Sequence, residues 1–207
     1  MKFNDFKNSG EMLLHFGLKV KNSEFINLDA VPVLEIPSYL KEDIDFVLAE
    51  RGDTDHEFYI CEFLISPLLK EAWKRNPQAK LFSHPRIVYE DLVLIPDYVV
   101  APKHRSGINI FEKPLLVTVE AKNDDYEQGW NDAYRQLIVA RLLNENNEIP
   151  IYAIVSIGKG WEFGKLDGNI IYKHPVGLGL DNANKLLGVL DFIFADCVKT
   201  GERFNMY

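Results

Sequence analysis

Two short runs of this chain carry charge where β-prone, apolar sequence ends. One is Leu94-Ile95-Pro96-Asp97-Tyr98; the other is Val117-Thr118-Val119-Glu120-Ala121-Lys122. Such runs favour buried strands, and a buried carboxylate is costly unless a positive charge compensates it. Successive side chains on a strand point to opposite faces, so Glu120 and Lys122 share one face while Ala121 points away. If the strand carrying Asp97 lies alongside, its carboxylate reaches the same spot. Two carboxylates helped by the Ala121 carbonyl make a hard oxygen site of the kind Mg²⁺ prefers. A lysine beside such a site can position or activate a water, or stabilise negative charge developing on a phosphate. Metal-bound water attacking phosphorus in line is chemistry the site would suit. The competing reading of Glu120 and Lys122 is a solvated ion pair on a strand face, which contributes little. The preceding Leu115-Leu116-Val117 argues for burial on both faces.

The elements that must position these residues follow from periodicity. Thr54-Asp55-His56-Glu57 fits a capping box, the start signal of a helix. Phe58, Cys61, Ile65, Leu68 and Ala72 then recur at spacings of three and four and form one apolar stripe. Pro67 either kinks this helix or restarts it with Ser66 as N-cap, and Asn76-Pro77 ends it. Ile87 to Tyr89 and Leu92 to Val100 read as two consecutive strands. A loop from Ala101 to Lys113 holds Lys103, His104, Arg105 and Gly107, and Leu115 to Ala121 is a third strand. Glu127 to Asn144 is a long helix with Trp130, Ala133, Tyr134, Leu137, Ile138 and Ala140 on its apolar side. Asp124 and Asp125 suit the positive end of its dipole. Ile151 to Ile157 reads as a fourth strand, parallel to the third through this crossover helix. Trp161 to Phe163 and Ile170 to Tyr172 read as short hairpin strands. Asn182 to Val198 is a strongly apolar helix that either packs under the sheet or joins a second copy of the chain. Residues 1–50 are mixed, with Pro32 and Pro37 breaking short apolar pieces, and Asp43 to Leu48 fits a short helix or strand.

Pro96-Asp97, followed by Glu120-Ala121-Lys122 at the end of the next apolar strand, resembles the PD-(D/E)xK nuclease superfamily with its restriction-endonuclease-like fold. The likeness extends over roughly residues 55 to 175. The run Val155 to Phe163 also resembles the strand and hairpin after the helix in restriction-subunit-like and uncharacterised bacterial members. The resemblance implies an α/β core of helix, three-stranded antiparallel meander, crossover helix and further strand. Around it stand an N-terminal extension (1–54), an edge hairpin and a C-terminal apolar helix (176–207), all in one nuclease-like domain. It implies Mg²⁺, with Mn²⁺ as a substitute, held by Asp97, Glu120 and the Ala121 carbonyl. In this family the helix before the strands often supplies a further acid; Glu62 is the first choice and Glu57 its competitor. The helix after the lysine often carries a glutamine facing the site, and Gln136 matches. The tyrosine often found four residues further on is Ala140 here. The implied activity is hydrolysis of phosphodiester bonds in nucleic acid, with DNA as the expected substrate and a homodimer as one arrangement suited to two strands. The rival expectation is a catalytically inactive nuclease-fold module used for binding or assembly.

The bulk numbers are compatible with this. The chain has 207 residues, 47% hydrophobic and 26% charged, enough to bury one sizeable core. The net charge of −8 argues against non-specific coating of nucleic acid, leaving local basic groups, the Lys103-His104-Arg105 loop and the set Lys70, Lys74, Arg75 and Lys80, as candidates for phosphate contact. Cys61 and Cys197 form no disulfide or metal pattern and read as buried thiols. His15, His56, His84, His104 and His174 lack metal-ligand spacing, so no zinc site is expected. Gly158-Lys159-Gly160 is not a phosphate loop, and no G-x-S-x-G elbow is present. Without a signal-peptide pattern at Met1 to Asp5 or an apolar run of roughly 20 residues, the expected location is cytoplasmic and not membrane-bound.

Overall fold

The computed structural model describes residues 6–52, 56–90, 92–103 and 115–204. The expectations placed on Met1 to Asp5, Thr54, Asp55, His104, Arg105 and Gly107 lie outside them. In chain order, the N-terminal part forms α1 (Ser9–His15), β1 (Lys19–Asn22) and α2 (Ser38–Glu50). A helix follows as α3 (Glu57–Ile60), a π turn (Cys61–Ile65) and α4 (Ser66–Arg75). Then come β2 (Ala79–Ser83), β3 (Ile87–Tyr89), β4 (Leu92–Leu94), β5 (Tyr98–Pro102) and β6 (Val117–Ala121). The C-terminal part holds α5 (Tyr126–Asn144), β7 (Ile151–Ser156), β8 (Gly160–Asp167), β9 (Ile170–Lys173), β10 (Leu178–Gly179) and α6 (Ala183–Arg203).

The main sheet has eight strands in the order β1-β9-β8-β7-β6-β5-β2, with β10 against β8. Strands β2, β5 and β6 form an antiparallel meander, and α5 crosses over so that β7 lies parallel to β6. This is the helix, meander, crossover helix and strand core that the resemblance implies. Two faces bury two clusters. One gathers residues of α2, the π turn, α4 and α6, and the other gathers residues of α1 and α5. The strongly apolar C-terminal helix thus packs under the sheet: Leu186, Val189, Leu190, Ile193 and Phe194 are fully buried. Among the described residues, no helix is long and apolar enough to cross a membrane.

Several expected boundaries shift for identifiable reasons. The stretch from Leu92 to Val100 is two strands in two different sheets, because β4 pairs with β3 in a separate hairpin while β5 joins the main sheet. Pro96 has no N–H to donate to a ladder, and the chain breaks there. The first meander strand is β2, from Ala79 to Ser83, rather than Ile87 to Tyr89. Its alternation is faint, since only Ala79 is fully buried. The hairpin strands after β7 are longer than expected and not at an edge: β8 is interior and β9 is covered by β1. The helix at Glu57 begins with His56 as N-cap, which leaves the Glu57 carboxylate available to face the sheet. An α-helical segment does restart at Ser66 with Pro67 in its first turn, but Ile65 rather than Ser66 holds the N-cap position. The wide turn before it absorbs the missing donor, and the Cys61 carbonyl accepts both from the Ser66 N–H and, at 3.0 Å, from the Tyr98 hydroxyl.

Helix α5 lies close on the sheet at Gly129. A Cβ there would come within 2.5 Å of Val155 Cγ1 and 3.3 Å of Lys122 Cγ. Glycine to alanine in a helix ordinarily gains up to about 1 kcal/mol. At this site overpacking of about 1–3 kcal/mol reverses the sign. Gly129→Ala is expected to lower stability by roughly 1 kcal/mol, read from the urea midpoint at unchanged slope; a raised midpoint would contradict the close approach.

Candidate active site

Asp97 stands in the bend just before β5, Glu120 and Ala121 end β6, and Lys122 follows directly. The register brings them together, since Tyr98 pairs with Val119. The Ala121 N–H donates to Asp97 Oδ2 at 2.8 Å, which fixes the aspartate against the neighbouring strand end. Glu120, Asp97 and Lys122 are all buried, at 7%, 6% and 8% exposure, so the solvated-pair reading does not hold. Lys122 Nζ donates to Glu120 Oε1 at 2.6 Å, and Gln136 Nε2 donates to Glu120 Oε2 at 2.5 Å. Both glutamate oxygens are therefore held, one by a strand neighbour and one by the crossover helix.

Of the two helix acids, Glu57 is the one that joins this group. Carboxylate oxygens of Glu57, Asp97 and Glu120 all lie within 4.8 Å of one another. Glu62 is exposed on the π turn and does not enter this group; it borders a neighbouring cleft with Cys61 and His84. Glu57 begins the helix, with its carboxylate 3.6 Å from Lys122 Nζ. Asp132, which the sequence reading passed over, is 3.4 Å from the same nitrogen. It precedes Gln136 by four residues on α5, so the two share a helix face, and that spacing was the available signal.

Three carboxylates, Glu57, Glu120 and Asp132, therefore lie within 4.0 Å of a single ammonium, Asp97 adds a fourth negative group beside Glu57 and Glu120, and the electrostatics show the imbalance. Burial and then the Asp97 charge push the Glu120 carboxyl up to about 7, against the hydrogen bonds from Lys122 and Gln136. Burial also raises Glu57, against the pull of Lys122. Burial alone would lower Lys122, but its hydrogen bond to Glu120 and the charges of Glu120, Glu57 and Asp132 outweigh that and hold it firmly cationic. Gln136 Oε1 is buried and has no hydrogen-bond partner among the described residues. Hard oxygens clustered at short range with excess negative charge fit a divalent cation of the Mg²⁺ type.

A cleft leads to this group. Val93, Leu94 and Ile95 of the β3–β4 hairpin and its exit line one side; Asp132, Arg135 and Gln136 of α5 line the other, with Glu120 between. Arg135 is exposed. The basic group expected on α4 and β2 is largely committed to the protein itself. Lys74 pairs with Glu71 at 2.5 Å, Arg75 with Asp191 at 3.2 Å, and Lys80 lies 4.9 Å from the Trp73 ring centre. Asp125 caps α5 by accepting from the Gln128 N–H, whereas Asp124 lies 3.8 Å from Lys159.

No protein-family model matches the chain, and no match is found among curated proteins. Solved structures do resemble it. The type IIG restriction endonuclease BpuSI aligns with 68% of this chain at 17% identity and a TM-score of 0.45. The aligned part spans only 16% of that enzyme's length. A candidate nuclease belonging to DUF820, from Anabaena variabilis ATCC 29413, aligns with 66% of this chain and 85% of its own, at 12% identity and a TM-score of 0.40.

Proposed function

We propose that this chain is a metal-dependent nuclease that hydrolyses phosphodiester bonds, with DNA as its substrate and Mg²⁺ or Mn²⁺ as its ion. The observation that carries this reading is the convergence of Glu57, Asp97 and Glu120 on one point, with Lys122 bonded to Glu120. Those three carboxylates, with the Ala121 carbonyl, are the residues that would hold the ion. Bound there, a divalent cation lowers the pKa of a water ligand and offsets charge on the phosphate.

The chain's own groups do the rest. Lys122 stays cationic and keeps a positive charge beside the attacked phosphorus, where negative charge grows in the transition state. Gln136 holds Glu120 Oε2 through its amide nitrogen and presents its unpartnered oxygen as an acceptor for a water. Glu57 takes the role the sequence had offered first to Glu62. Arg135, exposed beside the cleft, is placed to meet a backbone phosphate.

The test compares wild type with Lys122→Met on duplex and single-stranded DNA, in Mg²⁺ and in Mn²⁺. Wild type is expected to cleave, and the variant to lose roughly 100-fold or more, the scale for removing one charge-stabilising group. Cleavage at equal rates, or none by wild type in either ion, would overturn the reading.

A further inference from the structure

Beside Asp97 a second set of side chains meets, and the nuclease reading does not use it. Cys61, His84 and Asp97 present one sulfur, one ring nitrogen and one carboxylate oxygen within 4.8 Å of one another. They come from the π turn, the end of β2 and the bend before β5, so no sequence spacing announces them. That is why the five histidines read as lacking a zinc pattern.

The geometry around His84 is built. Its backbone is left-handed, with φ of 48°, an uncommon conformation for a residue with a Cβ. Its N–H donates to the Asp97 carbonyl at 2.8 Å, which ties the two residues together. Ring Nδ1 lies 2.9 Å from Ser83 Oγ, and Nε2 lies 3.4 Å from Asp97 Oδ1. A hydrogen bond from Nδ1 to the serine leaves the Nε2 lone pair turned toward Asp97, the arrangement that orients metal-bound histidines. The wide turn brings Cys61 to the same place. A cleft bordered by Phe58, Glu62 and Ser66 opens beside the three donors, leaving room for a further ligand.

We propose that Cys61, His84 and Asp97 form a second cation site, selective for a thiophilic divalent ion such as Zn²⁺ or Co²⁺. Sulfur and imidazole favour such ions and disfavour Mg²⁺, which seeks an all-oxygen shell. Binding displaces the thiol proton to solvent, and the thiolate, the imidazole and one aspartate oxygen become ligands. Because Asp97 belongs to both groups, the two sites are joined through one carboxylate. The site does not depend on nuclease activity.

The experiment titrates the full chain with Co²⁺ alone and follows the sulfur-to-cobalt charge-transfer absorption. Wild type, Cys197→Ser and Glu120→Gln are expected to develop the band at one equivalent. Cys61→Ser is expected to abolish it, and His84→Ala, a change at an exposed residue, to weaken cobalt binding at least tenfold. Circular dichroism confirms that each variant is folded. The absence of a band in wild type, or a band that persists in Cys61→Ser or binds as tightly in His84→Ala, would overturn the assignment. Loss of cleavage in the nuclease assay would leave it untouched.

Discussion

Asp97→Ala is expected to remove Mg²⁺ binding and cleavage together. Calorimetry should show no saturable heat where wild type shows one site, and the cleavage rate should fall by roughly a thousandfold, the upper end for losing a preorganised electrostatic group. The alanine also deprives the Ala121 N–H of its acceptor. An orphaned buried donor costs about 1–3 kcal/mol, so that variant alone confounds chemistry with folding. Asp97→Asn separates them, because it keeps an acceptor for Ala121 while deleting the charge. It should retain most of the stability and still lose the ion. An asparagine variant that binds Mg²⁺ as tightly as wild type would remove Asp97 from the site.

The second large effect is a stability profile that runs opposite to ordinary acid denaturation. The Glu120 carboxyl titrates near 7 in the folded chain, against an ordinary value of 4.5. Between those values the folded state holds a proton that the unfolded state has released, so stability falls as pH rises from about 4.5 to 7. Glu57 is raised in the same direction. Lys122 stays protonated throughout that window in both states, so its contribution there is constant. The loss attributable to Glu120 is about 3 kcal/mol, at about 1.4 kcal/mol per pH unit of displacement. A divalent cation favours the ionised form and should restore most of this loss. Thermal melts with a chelator are therefore expected to show a lower Tm at pH 7.5 than at pH 5, and Mg²⁺ should raise Tm far more at pH 7.5. Glu120→Gln should flatten both effects. A chelated Tm that climbs steadily from pH 5 to 7.5 would refute the buried-charge account of the site.

Much of the framework was legible because burial is written into local pattern. The run from Leu115 to Ala121 is apolar on both faces and became β6 within the sheet. The α5 stripe and the β-prone run Ile151 to Ile157 gave the crossover and its parallel strand. Elsewhere local pattern was weak or misleading. Strand β2 buries only Ala79 completely and carries little alternation. The break at Pro96 hides inside an otherwise continuous β-prone run. At the helix start, the capping-box spacing of Thr54 and Glu57 pointed to a glutamate serving the helix itself, whereas the carboxylate faces Lys122. Helical spacing could not decide between Glu57 and Glu62, because a π turn lies within the segment and changes which residues face the sheet.

By itself, the sequence determined which residues had to be buried and which of those carried charge: Asp97, Glu120 and Lys122 sit in strands or strand ends too apolar to lie at the surface. It also determined the period of the strongly patterned elements, β6, α5 and β7, since the hydrophobic effect acts on every residue through its immediate pattern. Only the tertiary structure decided the company these charges keep. Glu57, Asp132 and Gln136 reach them, and Cys61 and His84 meet beside Asp97, because strand register, a widened helical turn and the seating of α5 set distances between residues far apart in the chain. Those distances depend on how whole surfaces pack, which no single segment encodes.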